Sequence, residues 1–159
     1  MFSVHGVFVS VHGFGVLLKG NPGVGKSQLA LDLIDRGHKF IADDLILFSS
    51  KDYSLYGSAC DKFNGFLMIR GFGLLDISKL YPDNFIKEEK LSIVVELTVG
   101  DCDTAMFIDK PFECIEFGGH SYKKYKIYVS SNIPLAILIE SIIRENFICI
   151  EKNGTNEAI

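Results

Sequence analysis

Residues 20 to 27 read Gly20-Asn21-Pro22-Gly23-Val24-Gly25-Lys26-Ser27. This stretch matches the phosphate-binding pattern G-x-x-x-x-G-K-[ST] in full. In such a loop, backbone N–H groups surround the phosphates of a nucleotide, and the lysine reaches the β- and γ-phosphates. The serine hydroxyl can complete the coordination shell of a Mg²⁺ ion. The stretch therefore predicts a nucleotide site in which all eight residues contact the phosphates or their metal ion.

The residues on either side of the loop supply the context that this pattern requires. The apolar run over 15–19 predicts a strand entering the loop, and apolar residues at helical spacing predict a helix over 27–36. Gly37 is a suitable residue to end that helix, and the helix start offers unpaired N–H groups to an anion. This context favours a phosphate loop over a glycine-rich turn that matches the pattern by chance.

The rest of the sequence is dominated by short β-branched or aromatic runs separated by Gly, Asp and Asn. These runs predict strands over 2–10, 39–42, 45–48, 53–56, 66–69, 91–99, 112–117 and 122–129, with a closing helix over 134–147. Regular alternation of strands and helices, as in doubly wound folds, is absent. We therefore expect one mixed α/β domain with a largely antiparallel sheet over 1–150, followed by a polar, frayed tail over 151–159.

Composition restricts the class of partner and the cell compartment. The 159 residues are 48% hydrophobic and 23% charged, and their net charge of −4 argues against nucleic acid as the main partner. Polar residues interrupt the apolar segments near both ends, which argues against a signal or membrane segment. The cysteines lack metal-like spacing, so we expect buried, reduced thiols in a cytoplasmic protein at Cys60, Cys102, Cys114 and Cys149.

Two carboxylates, Asp43 and Asp44, follow the apolar residues that end the predicted strand over 39–42. We expect this strand to lie beside the phosphate-loop strand, which would bring both carboxylates near the γ-phosphate. A carboxylate there can bind Mg²⁺ or accept the proton of an attacking hydroxyl. Adjacent side chains of an extended strand point to opposite faces, so only one of the two is expected to aim at the reacting oxygen. The alternative is a solvated turn.

These segments, in this order, resemble the catalytic domain of the HPr kinase/phosphorylase family, bacterial enzymes that phosphorylate a serine of the phosphocarrier protein HPr. The resemblance covers residues 4–44, which include Val4-His5-Gly6-Val7, the phosphate loop and Ile41-Ala42-Asp43-Asp44. It resumes at Ile69-Arg70-Gly71-Phe72-Gly73-Leu74-Leu75-Asp76-Ile77. It implies the family's carboxykinase-like P-loop fold and a kinase that uses ATP and Mg²⁺ to phosphorylate an HPr-like carrier, with phosphorolytic dephosphorylation as the reverse reaction.

The resemblance also implies roles for single residues. Asp43 would be the acid/base residue, and His5, which the residues alone place on a sheet face, would lie beside it. Arg70 would support the phosphates and, with Lys26, would complete the catalytic set. Ser27 and Asp44 would hold Mg²⁺. The resemblance further implies the family's short form, with the catalytic domain only, and a hexamer-like homo-oligomer.

Two positions depart from the family pattern. Met68 stands where the family has an acidic residue two positions before Arg70, and Lys87 is the nearest basic residue where the family's following loop ends in Arg. A lysine lacks the bidentate fork that Arg offers to a phosphate. These departures keep open the alternative of a nucleotide-binding regulatory module without transfer activity. A third possibility is a small-molecule kinase or carboxykinase relative that shares the phosphate-loop architecture and binds its substrate in a pocket.

Overall fold

The computed structural model describes residues 1–100, 112–129 and 133–149. Its strands are β1 (Phe2–Val11), β2 (Phe14–Lys19), β3 (Lys39–Lys51), β4 (Ser54–Ala59), β5 (Phe66–Ile69), β6 (Gly73–Asp76), β7 (Glu88–Thr98), β8 (Phe112–Phe117) and β9 (His120–Tyr128). Its helices are α1 (Lys26–Asp35), α2 (Ile77–Leu80) and α3 (Leu135–Ile143), with a π turn at Arg144–Ile148 and 3₁₀ turns at Asp61–Phe63 and Pro82–Asn84. The predicted tail over 151–159 lies outside the described residues.

Seven strands form one sheet in the order β2-β1-β3-β4-β7-β9-β8, and β2 also pairs with β7. The second pairing of β2 closes β2, β1, β3, β4 and β7 into a ring. Pairing is parallel between β2 and β7 and between β7 and β9, and antiparallel at the other contacts of this sheet. Strands β5 and β6 form a separate antiparallel hairpin. The predicted mixed α/β fold with a largely antiparallel sheet is confirmed.

The alternation of side chains along the strands creates two hydrophobic clusters. On β2, Leu17 belongs to a cluster contributed by all five strands of the ring, whereas Val16 and Leu18 belong to a second cluster that includes residues of α1 and α3. The members of both clusters are almost completely buried. The inside of the ring is thus filled with side chains, and helices α1 and α3 pack against its outer surface.

Helix α1 follows the phosphate loop, as the sequence predicts, with bounds one residue earlier at each end. It begins after Gly25, whose φ is 108°, and it buries Leu33 and Ile34. At its end the N–H of Gly37 donates to Ile34 O and the N–H of His38 donates to Leu33 O, both over 3.0 Å. Gly37 has a φ of 101°. This pair of bonds is a Schellman motif, in which glycine is the residue that best tolerates the left-handed conformation.

Several predicted elements differ from the structure. The predicted strands over 39–42 and 45–48 are one strand, β3, and its neighbours are β1 and β4, so the prediction that it lies beside β2 is wrong. The reason is that β1 pairs with β2 along one edge and with β3 along the other. The short elements β6 and α2 lie where glycines and an aspartate interrupt the apolar pattern. The closing helix keeps α geometry over Leu135–Ile143 and then becomes the π turn.

The cysteines also differ from the prediction of buried thiols. Cys60 is half-buried, whereas Cys114 and Cys149 are exposed, and all three are free. Cys114 is exposed because it lies on β8, the edge strand of the sheet. Cys102 lies outside the described residues. No helix in the described part of the chain combines the length and the apolar character needed to cross a membrane.

Candidate functional site

A cavity of about 570 Å³ lies between the phosphate loop, β3 and the β5–β6 hairpin. Its lining includes most of the predicted site residues, namely His5, Gly20, Pro22, Gly23, Gly25, Lys26, Ser27, Asp43, Asp44 and Arg70. Asn21 and Val24 belong to the loop but are not part of the lining. The tertiary structure therefore brings residues from four separate segments of the sequence to one place.

The phosphate loop rests closely on β7. A Cβ atom added to Gly20 would lie 2.7 Å from the carbonyl oxygen of Leu97, so only glycine allows this approach. Lys26 Nζ donates to the carbonyl oxygens of Gly20 at 2.6 Å and of Asn21 at 3.2 Å. Burial lowers the pKa of Lys26, and the nearby Asp43 carboxylate partly opposes that shift. The ammonium group of Lys26 is thus held in place by the carbonyl oxygens of the phosphate loop.

Asp43 is half-buried, and its carboxylate accepts several hydrogen bonds. The backbone N–H of Met68 donates to Asp43 Oδ2 over 2.8 Å, and the N–H of Asp44 and the hydroxyl of Ser27 are further donors. Burial raises the pKa of Asp43 above its ordinary value, and these hydrogen bonds limit the rise. Asp43 is therefore a fixed, partly desolvated carboxylate next to the phosphate loop.

Asp44 has a φ of 72°, a left-handed backbone conformation within strand β3. This conformation interrupts the alternation of the strand, so Asp43 and Asp44 both line the cavity. The expected alternation of side chains is therefore absent at Asp43 and Asp44, and that only one of the two carboxylates aims at the reacting oxygen stays a prediction. Asp44 Oδ1 lies 3.6 Å from His5 Nδ1, and both side chains are largely exposed. Antiparallel pairing of β1 with β3 places these two residues near each other.

An apolar rim, which the sequence analysis did not predict, borders the cavity. Phe63, Phe66, Met68 and Leu74 line the cavity while remaining 36–54% exposed. Phe72 is 75% exposed at the tip of the β5–β6 hairpin, next to this rim. The only signal for such a rim was an excess of large apolar residues in a glycine-rich segment. The exposure of these side chains depends on how the β5–β6 hairpin packs against the seven-stranded sheet, which is a feature of the tertiary structure.

A second cluster of polar residues lies outside the cavity lining and joins α1 to α3. His12, His38 and Glu140 have potential metal-ligating atoms within 4.8 Å of one another. However, His38 Nδ1 accepts the N–H of His12 over 3.3 Å, so His38 Nε2 carries the proton and donates to Glu140 Oε2 over 2.6 Å. Arg36 donates to Glu140 Oε1 through Nε and Nη2. His38 and Glu140 are therefore engaged in a network of hydrogen bonds and ion pairs that connects them to Arg36.

The cavity brings together two chemically different sets of side chains. Lys26, Arg70 and the loop N–H groups offer positive charge to phosphates, whereas Asp43, Asp44 and His5 offer proton acceptors and oxygen ligands. Transfer of a phosphoryl group requires this combination, because charge on the phosphate oxygens must be stabilised while the attacking hydroxyl loses its proton.

Comparison with known proteins identifies the family. The model of the HPr Serine kinase C-terminal domain matches residues 1–158. The chain is 35% identical over 146 residues to the HPr kinase/phosphorylase of Leptothrix cholodnii, which covers 89% of this chain and 45% of that protein. It is 34% identical over 150 residues to the HPr kinase/phosphorylase of Bordetella avium, covering 92% of this chain and 48% of that protein. The chain spans less than half the length of these curated relatives.

A solved structure, that of the Hpr(Ser) kinase/phosphatase from Coxiella burnetii, has the same fold. It matches with a TM-score of 0.85 and 26% sequence identity, covering 99% of this chain and 98% of that chain. The predicted resemblance is thus confirmed in sequence and in structure. The chain belongs to the HPr Serine kinase C-terminal domain family.

Proposed function

We propose that this protein is a kinase that uses ATP and Mg²⁺ to phosphorylate a serine of an HPr-like phosphocarrier protein, and that inorganic phosphate drives the reverse reaction. The observation that carries this proposal is the presence of Asp43 and the phosphate loop in one cavity. The relatives are named kinase/phosphorylase and kinase/phosphatase, and these names support a proposal of both phosphorylation and dephosphorylation. Cytoplasmic localisation stays a prediction from the cysteine pattern, and a hexamer-like assembly stays a prediction from the resemblance.

In this proposal the loop and two cations hold the nucleotide. The loop N–H groups and Lys26 stabilise charge on the β- and γ-phosphates, and Arg70 approaches the same loop from the hairpin. Lys26 already lies in the loop, since it donates to two of its carbonyl oxygens. Binding of phosphate would exchange these weak acceptors for charged ones, which form stronger hydrogen bonds.

Asp43 is the group that would accept the proton of the serine hydroxyl. As the hydroxyl oxygen bonds to the γ-phosphorus, the bond from phosphorus to the β,γ-bridging oxygen breaks and ADP leaves. The donors from Met68 and Ser27 fix the orientation of the carboxylate, and burial raises its pKa toward the range in which a base is effective. In the dephosphorylation an oxygen of inorganic phosphate would bond to the phosphorus of the phosphoserine, the bond from phosphorus to the serine oxygen would break, and pyrophosphate would leave. The protonated Asp43 would return the proton to the serine oxygen.

The residues at the cavity fit a Mg²⁺ ion. Ser27 and Asp44 offer a hydroxyl and an exposed carboxylate at the phosphate loop, and Mg²⁺ prefers such hard oxygen ligands. The thioether of Met68 is a soft group and is unsuitable for this ion. When bound, Mg²⁺ would neutralise charge on the phosphates. We assign Ser27 and Asp44 as the residues that hold it.

The apolar rim favours a protein substrate over a small metabolite. Phe66, Met68 and Leu74 expose apolar surface at the cavity where a substrate would approach. A small-molecule site encloses most of its ligand in a concave pocket, whereas these apolar side chains stay 36–54% exposed at the edge of the cavity. Exposed apolar groups beside a reactive site are typical of contact surfaces for other proteins.

A test is incubation of the purified protein with γ-labelled ATP, Mg²⁺ and the HPr-like carriers of its own organism. Lys26→Ala and Asp43→Asn serve as variants. We expect acid-stable label on a carrier serine with the wild-type protein and none with either variant. Wild-type turnover by Asp43→Asn would contradict the assignment of the base.

One observation favours a second candidate, a nucleotide-binding regulatory module without transfer activity. Met68 presents a half-exposed thioether to the cavity at the position where the family pattern has an acidic residue. ATP binding without label on any carrier would support this candidate. In that event, Met68→Glu is the variant expected to gain transfer activity.

A further inference from the structure

Gly23 occupies a position of the phosphate loop for which the pattern G-x-x-x-x-G-K-[ST] requires no particular residue. In the structure, a Cβ atom added to Gly23 would overlap Arg70 Nη1 and lie 3.3 Å from Arg70 Cζ. The guanidinium group therefore lies directly against the bare Cα of the loop. Any side chain at position 23 would have to push Arg70 away.

The backbone of the β5–β6 hairpin sets the position from which Arg70 reaches the loop. Phe72 N–H donates to Ile69 O over 3.0 Å, which closes a turn with Arg70 as its second residue. Gly71, the third residue of the turn, has a φ of 84°, as a type II turn requires. Leu67 anchors β5 because its side chain is completely buried in the core.

The same strand also contacts the proposed base. Met68, two residues before Arg70, donates its N–H to Asp43 Oδ2 over 2.8 Å. The β5–β6 hairpin thus touches both halves of the site, the carboxylate through Met68 and the phosphate loop through Arg70. Within the described residues no carboxylate forms an ion pair with Arg70. Its positive charge is therefore available to an anion in the loop.

We propose that Gly23 is a positioning residue: its missing side chain lets Arg70 lie against the phosphate loop, where the guanidinium is a second cation for the bound phosphates besides Lys26. The planar guanidinium can lie flat against the loop and offer two parallel N–H groups to a phosphate, which an ammonium group cannot do. This inference deepens the proposed function, because it concerns the same phosphate site.

A simple Gly23→Ala substitution has two effects that must be separated. It displaces Arg70, and it strains the backbone, because the φ of Gly23 is 84°. Gly13 provides a matched control, since its φ is 85° and nothing lies within 4 Å of an added Cβ atom. Gly13→Ala therefore introduces the same backbone strain without displacing any side chain.

The experiment is a double-mutant cycle on the affinity for Mg²⁺-ATP, measured by titration calorimetry on wild type, Gly23→Ala, Arg70→Ala and the double variant. We expect Gly23→Ala to weaken binding about tenfold in the presence of Arg70 and less than about twofold in its absence, since the two residues act as one unit. Gly13→Ala should lower the melting temperature but leave the affinity unchanged. Equal losses from Gly23→Ala in both backgrounds would overturn the proposal.

A second measurement needs no nucleotide and thus separates this inference from the proposed function. The Nε–Hε resonance of Arg70, assigned by its absence in Arg70→Lys, reports the surroundings of the guanidinium. We expect Gly23→Ala to shift this resonance and Gly13→Ala to leave it in place. An unshifted resonance in Gly23→Ala would refute the contact, whereas failure of the wild-type protein to bind ATP would refute only the proposed function.

Discussion

The backbone N–H of Met68 and the carboxylate of Asp43 form a 2.8 Å hydrogen bond that joins the β5–β6 hairpin to β3. The donor is a main-chain group, so the bond depends on the path of β5 rather than on the side chain at position 68. The hairpin can therefore orient Asp43 whatever residue occupies that position. The identity of the side chain at position 68 affects the cavity only through its thioether, which lines the cavity.

Asp43→Asn should lower the transfer rate and at the same time raise the stability of the fold at pH 7. Loss of the proton acceptor should lower the transfer rate by about 10²–10⁴-fold, with little change in ATP affinity. Burial raises the pKa of Asp43, so ionisation of the folded protein is unfavourable and reduces stability as the pH rises through that pKa. Asn avoids this ionisation, so the variant should be more stable than wild type at pH 7.

The measurement for Asp43→Asn is thermal unfolding between pH 3 and pH 8, with Asp52→Asn as a control on the exposed turn between β3 and β4. The gain in stability should disappear at a pH below the ordinary value of 3.8, where the carboxyl is protonated in both states. A variant that is less stable than wild type at pH 7 would contradict the role of burial.

The left-handed backbone at Asp44 predicts a difference between two substitutions that remove the same carboxylate. Asp44→Gly relieves the strain at a φ of 72°, whereas Asp44→Ala keeps it. We expect the glycine variant to be more stable by about 1 kcal/mol. Chemical unfolding measures the difference, and both variants should bind Mg²⁺ more weakly than wild type. Equal stability of the two variants would show that Asp44 is unstrained.

The Glu140 network predicts a loss of stability in acid. Hydrogen bonds from Arg36, and secondarily from His38, lower the pKa of Glu140 to about 2 from the ordinary 4.5. A depressed carboxyl pKa stabilises the fold above the unfolded value, and this contribution is lost as the pH falls from about 4.5 towards 2. Glu140→Gln should therefore be less stable than wild type at pH 7 and should flatten the stability profile in this range.

Unfolding midpoints at a series of pH values test the Glu140 prediction. Glu145→Gln is a suitable control, because Glu145 is exposed on the segment that follows α3. A wild-type profile without loss between pH 4.5 and pH 2, or an equal effect of both substitutions, would refute the stabilising role of the network.

The exposed apolar rim predicts a selective effect on the protein substrate. Phe72→Ser should raise the KM for an HPr-like carrier about tenfold while the ATP affinity stays unchanged, because an exposed aromatic side chain at an interface commonly contributes this much binding. Tyr53→Ser is the matched control, since Tyr53 is 97% exposed but lies in the turn between β3 and β4 rather than at the tip of the β5–β6 hairpin. An unchanged KM for Phe72→Ser would place the carrier elsewhere.

The candidate site was predictable from the sequence where its chemistry depends on local backbone geometry. A phosphate loop is formed by consecutive residues, so Gly20–Ser27 and the helix after it could be recognised from spacing alone. The location of Asp43 and Asp44 in the cavity followed from an argument about the ends of strands, although the assumed neighbour of β3 was wrong. Their assigned roles stay predictions.

The sequence by itself determined the loop, the strand-rich composition and the family, because these depend on short-range patterns. Only the tertiary structure decided which strand lies beside β2, that β2 also pairs with β7, and that Arg70 meets Gly23 from a separate hairpin. It also decided that Asp43 and Asp44 share one cavity, through the left-handed conformation of Asp44. These features arise from contacts between residues far apart in the chain, and no local pattern of side chains encodes which distant partner each segment meets.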